Sequence, residues 1–170
     1  MARLTSPVRE ARRIFGPPGI GHARALADTI DFGPLADWIG FHLRLAQSAS
    51  FQAFARAADE IDRPGHFAIL LLIGRNPGIS QTALSRANGC DKSTLTPALN
   101  DLARRGLISR VRPKRDRRTY QLTLTREGEA MLQRLLDCAI RHDRELDRIV
   151  GAREKERLLR SLRKIIAALA

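Results

Sequence analysis

A mainly α fold with a small β wing, a winged helix-turn-helix set between N- and C-terminal helices, is what three patterns in this sequence predict. Residues 34–61 and 125–169 carry apolar stripes at helical spacing. Residues 80–106 read as a short helix, a tight turn and a longer amphipathic helix. Residues 107–124 alternate apolar and polar side chains around a charged tip. A short helix, a turn, a second helix and a hairpin in that order make the winged form of the helix-turn-helix. The expected organisation is a basic arm over 1–31, a helical region from 32–62 and 126–170, and the winged unit over 63–125.

The arm is rich in Arg, Pro and Gly, with FGPPGIG at its centre, and has room for one short helix near His22–Thr29. From Pro34 the residues Leu35, Ile39, His42, Ala46, Ala49, Ala53 and Ala57 recur at intervals of three or four, which predicts one continuous helix to about Ile61. Arg63-Pro64-Gly65 breaks it. A second helix is expected over Pro64–Arg75, where FAILLLI is apolar all round, as in a buried element, and the proline suits a first turn. Asn76-Pro77-Gly78 turns the chain.

Ser80 is a capping residue for a helix over Gln81–Ala87, and Asn88-Gly89 offers the left-handed turn that ends it. Asp91 caps the next helix, whose buried stripe is Leu95, Ala98, Leu99 and Leu102, with Gly106 at its end. Leu107–Val111 is a strand candidate, and Tyr120, Leu122 and Leu124 alternate with polar neighbours in a clearer one; Pro113–Arg118 forms the tip between them. Thr125 opens a long helix to about Val150, and Gly151 interrupts it. The last segment carries Leu158, Leu159, Leu162, Ile165, Ile166 and Leu169 opposite an Arg/Lys-rich face. Such a stripe packs either on its own domain or on a second subunit.

Composition narrows the partners. The 170 residues carry a formal net charge of +12, and such an excess of Lys and Arg suits a polyanion, either nucleic acid or an anionic membrane surface. The longest apolar run, Phe67–Ile73, is far short of the roughly 20 residues that span a bilayer. With no hydrophobic leader and two distant cysteines, a cytoplasmic protein without a disulfide framework is expected.

The stretch GISQTALSRANGCDKSTLTPALNDLARRGLISRVRPKRDRRTYQLTLTREGEAML combines the helix-turn-helix, an L..RGLI.R exit, a DRR wing tip and an LT..G start to a long helix. In that order and spacing it resembles the MarR (multiple antibiotic resistance regulator) family. GFHLRLAQ and RPGHFAILLLIGRNPG resemble the family's first helix and the segment after it, with His66 where glutamine is usual. The arm before about Asp31 exceeds the family pattern. The resemblance implies a homodimer in which the terminal helices interlock as a dimerisation domain. It also implies a repressor that binds double-stranded DNA at a palindromic operator and lets go when a small molecule binds.

In the second helix of the motif, Lys92, Ser93 and Thr94 occupy the first turn, where they reach phosphates. Thr96, Pro97 and Asn100 lie opposite the buried leucines, on the face that enters a major groove, and Gln81 of the preceding helix is a further candidate DNA contact. Asn100 suits an adenine edge, and Thr96 a base or a thymine methyl. The wing carries Arg110, Arg112, Lys114, Arg115, Arg117 and Arg118, too dense a cluster to be explained by folding. By the family pattern Arg118 enters the minor groove, held by Asp116 through a charge-assisted hydrogen bond. The competing reading makes these residues a solvated face.

The signal is less legible. Trp38, Phe41 and His42 sit on neighbouring faces of the first helix, with Arg44 near them and His66 on the next helix. An aromatic wall with a few polar groups suits an aromatic acid or its acyl-CoA thioester; alternatively Trp38 and Phe41 are dimer core. Cys90 and Cys138 keep a redox-responsive regulator open, although a free cysteine is commonly a small hydrophobe. The four histidines show no metal-ligand spacing, so no metal and no cofactor is expected. No phosphate loop, nucleophile–base pattern or carboxylate pair suggests an enzyme. A ligand-independent architectural DNA-binding protein is the remaining alternative.

Overall fold

The computed structural model describes residues 30–58, 65–111 and 120–169. The chain forms two compact units, within residues 1–50 and 51–170. The expected short helix near His22–Thr29 and the wing tip at 112–119 lie outside the described residues.

In the first unit the expected single helix from Pro34 is interrupted. Gly33–Asp37 is a 3-10 turn, and α1 runs over Ile39–Ala57. Leu35 N–H donates to the Phe32 carbonyl and Trp38 N–H to that of Leu35, both three residues back, and Trp38 is extended (φ −86°, ψ 123°). The His42 ring Nε2 lies 2.6 Å from the Ala36 carbonyl, the group a continuous α-helix would have offered to Gly40. Helical spacing at Leu35 therefore continues across a break in the helix.

In the second unit, α2 is Gly65–Arg75, β1 Ile79–Ser80, α3 Gln81–Ala87, α4 Lys92–Arg104, β2 Ile108–Val111, β3 Gln121–Leu124, α5 Arg126–Val150 and α6 Ala152–Leu169. The core is built from Leu70 and Ile73 of α2, Leu84 of α3, Leu95, Leu99 and Leu102 of α4, Leu122 of β3, and Met131 and Leu135 of α5. The caps form as local chemistry dictates. Ser80 Oγ accepts from Ala83 N–H, Asp91 from Thr94 N–H and Thr125 Oγ1 from Gly128 N–H. Gly89 and Gly106 take φ of 63° and 69°, conformations open to glycine at the ends of α3 and α4.

The sheet is antiparallel in the order β1-β3-β2, with Ile79 opposite Leu122 and Arg110 opposite Leu122 on the other side. The two-residue β1 is too short to show alternation and went unread in the sequence. It forms because Gly78 N–H donates to the Leu122 carbonyl as the chain leaves the Asn76–Gly78 turn.

The first turn of α5 ties helix to wing. Thr125 N–H donates to the Leu107 carbonyl and its hydroxyl donates to the Gly106 carbonyl (2.6 Å). Gly128 is buried directly against the Leu107 backbone, where an added Cβ would overlap the carbonyl. The LT..G pattern thus has a mechanical meaning: threonine caps, and glycine admits the strand.

Candidate nucleic-acid interface

Amphipathic spacing divides α4 cleanly. Leu95, Leu99 and Leu102 are buried, while Lys92, Ser93, Thr94, Thr96, Pro97 and Asn100 are exposed. The exposed set is the face singled out from the sequence for phosphate and base contact. Pro97 lies inside the helix, in its second turn, and deprives the Ser93 carbonyl of its usual N–H partner. The helix nonetheless continues to Arg104, and the Thr96 hydroxyl donates back to the Lys92 carbonyl (2.6 Å).

Two side-chain bonds organise this face. Gln81 Nε2 donates to Thr96 Oγ1 (2.8 Å), joining the first turn of α3 to α4. Arg110 Nη2 donates to Asn100 Oδ1 (2.8 Å), joining β2 to α4. In the sequence Arg110 reads as one more wing charge. Its true neighbour follows from strand period: Ile108 is buried on the helix side, so Arg110, two residues on, points the same way.

Carboxylates brace both ends of α4. Asp91 accepts from the Ser93 hydroxyl (2.6 Å) and Thr94 N–H (2.7 Å). The Ser93 bond, more than any other, holds its carboxyl below the usual range. Asp101 pairs with Arg104, whose hydrogen bond lowers its pKa, and its Oδ2 lies 3.8 Å from Arg105 Nη1.

The wing side chains Arg112, Lys114, Arg115, Asp116, Arg117 and Arg118 fall outside the described residues. β2 and β3, which flank this basic segment in the sequence, pair from Val111–Gln121 down to Ile108–Leu124, and Arg110 of β2 reaches α4.

Of the residues expected to hold an effector, three cluster within the first unit. Phe41 packs on Phe32 (centroids 5.8 Å apart) and His42 (5.9 Å), and the Arg44 guanidinium lies 5.2 Å over the Phe41 ring. Trp38 is exposed. His66, in the second unit, is 2% exposed, with Nδ1 4.0 Å from Asp101 Oδ2, so α2 meets α4 there. Cys90 and Cys138 are half-buried free thiols; Arg141 Nη2 lies 3.2 Å from Cys138 Sγ. Among the described residues no cluster of His, Cys, Asp or Glu could hold a metal, and no helix is long and apolar enough to cross a membrane.

Comparison with known proteins finds a family and several similar regulators. Residues 61–119 match the model of the MarR family. A protein of Thauera aromatica assigned to transcriptional regulation of the hcr operon is 35% identical over 135 residues, which cover 78% of this chain and 81% of that one. The transcriptional repressor CouR, solved bound to a 23-mer DNA duplex, is 32% identical with a TM-score of 0.72, over 81% of this chain and 98% of that one. CouR bound to p-coumaroyl-CoA is similar at a TM-score of 0.73 and 30% identity, over 81% and 97% of the two chains. The PcaV regulator of Streptomyces coelicolor, in complex with its natural ligand, is 26% identical with a TM-score of 0.75, over 83% of this chain and all of that one.

Proposed function

Because this chain belongs to the MarR family, whose members here are transcriptional regulators, we propose that it is a sequence-specific repressor released by an aromatic acyl-CoA or aromatic acid. The exposed polar face of α4 carries the reading. Thr96, Pro97 and Asn100 form a base-contacting surface, and Lys92, Ser93 and Thr94 a phosphate-contacting first turn. Arg112, Lys114, Arg115 and Arg117 add backbone contacts at the wing. Arg118, oriented by Asp116, is the minor-groove probe.

Two copies bind one palindromic operator. Ile39 and Leu43 in the first unit, and Leu158, Ile166 and Leu169 on α6, are apolar side chains left exposed in the single chain. In each unit these are side chains that a second subunit would cover.

Two observations support the effector class. Phe41, His42 and Arg44 bring an aromatic face and a cation together, and the similar CouR has been solved with p-coumaroyl-CoA. The aromatic group stacks on this wall beside Trp38, and Arg44 meets a carboxylate or phosphate. Titration calorimetry with p-coumaroyl-CoA and with free aromatic acids tests it. Saturable binding, weakened about tenfold by Arg44→Ala, is expected, since a charge-assisted contact is worth about 1.5 kcal/mol or more. Protein that binds operator DNA but none of these compounds would rule out the aromatic effector and leave the DNA-binding reading intact.

A further inference from the structure

The bond between Arg110 and Asn100 changes what the recognition helix can read. An asparagine that recognises adenine uses both ends of its amide, accepting from the N6 amino group and donating to N7. Here the amide oxygen already accepts from Arg110 Nη2 at 2.8 Å. A guanidinium has five donors and no acceptor, so the amide cannot rotate to present the opposite pattern without losing the bond. The oxygen keeps a second lone pair, but an adenine amino group approaching it would set its own hydrogens against the neighbouring cation.

The arrangement is fixed by the strand, not by chance contact on the surface. Arg110 lies in β2 opposite Leu122 and on the same side as buried Ile108. Its Nε is buried, so the plane of the guanidinium is packed in place. Thr96 is committed in the same way: its hydroxyl hydrogen goes to the Lys92 carbonyl, and it accepts from Gln81. Among the described residues, no further partner is taken by the donors beside Asn100, the Asn100 amide N–H and the outer N–H groups of Arg110.

We infer that Arg110 is a specificity-determining residue, and that the Arg110–Asn100 pair reads guanine, whose N7 and O6 are two adjacent acceptors, in place of the adenine expected for asparagine alone. The inference rests on α4 being the helix that enters the major groove.

Selection from a random duplex library with the full chain, followed by sequencing, tests it. Asn100→Ala first identifies the base position that depends on this side chain. Wild-type protein should enrich guanine there. Arg110→Ala, which frees the amide oxygen, should shift the choice towards adenine by roughly tenfold or more relative to wild type. Replacing that guanine by 7-deazaguanine should weaken wild-type binding by roughly fivefold or more, and this arm needs no variant to fold. Adenine enriched by the wild type at that position, an unchanged guanine preference in a folded Arg110→Ala, or indifference to 7-deazaguanine each overturns the inference while leaving the regulator reading standing. A library from which the wild type enriches nothing overturns both.

Discussion

Gly128→Ala is expected to destabilise the winged unit by about 3 kcal/mol, the upper end of the ordinary cost of overpacking. That loss corresponds to a fall in melting temperature of roughly 10 °C for a chain of this size. The reason is the partner that the new methyl group meets. It would overlap the Leu107 carbonyl, a backbone group that cannot swing aside as a side chain would. That carbonyl already accepts from Thr125 N–H, and the Thr125 hydroxyl both caps α5 and donates to Gly106. Relief would require α5 to lift from the base of the wing and break these bonds together. Gly40→Ala is the matched control: Gly40 lies in α1 with nothing within 4 Å of an added Cβ, and alanine there should be neutral or stabilising. Thermal unfolding of the two variants beside the wild type checks the contrast.

The largest effect expected on function is that of salt. If each operator complex neutralises about six phosphates, affinity should fall roughly a thousandfold between about 50 and 200 mM monovalent salt. The net charge of +12, concentrated in part at the wing, makes a contact number of that size reasonable. Removing one wing cation, as in Arg118→Ala, should weaken operator binding severely while leaving the fold unchanged, because it takes away a positive charge and leaves every core residue named above in place. A gel-shift series over that salt range reads both effects. A flat salt response would mean that the basic residues do not touch the DNA backbone.

What could be read from the sequence was chiefly what local chemistry decides. Ser80, Asp91 and Thr125 cap their helices through bonds reaching three residues along the chain, and Gly89 and Gly106 sit where only a positive φ ends a helix comfortably. The buried leucines of α4 follow directly from a 3.6-residue period. Features set by distant partners were not legible in the same way. The stripe from Leu35 to Ala57 looked continuous, yet Trp38 is extended and His42 takes the Ala36 carbonyl. The two-residue β1 has no pattern of its own and exists only against β3.

The interface shows the same division. That these α4 side chains are exposed follows from helical spacing, but their bonding state does not. Gln81 and Arg110 each lie on another element and each occupies an atom of that face. Strand alternation through Ile108 could have pointed Arg110 towards the helix, and the density of charge around it concealed that signal. His66 resembled a ligand residue by position, and its burial beside Asp101 depends on how α2 packs on α4, which spacing alone does not reveal.

The claim that this face reads sequence is tested most directly by equilibrium binding of the full chain to a palindromic duplex enriched from a random library, in competition with a scrambled duplex of the same length and composition at physiological salt. The enriched site should bind roughly a thousandfold or more tightly than the scrambled one, with two subunits per duplex. Equal affinity for the two duplexes would contradict it, and would identify a protein that holds DNA by charge alone.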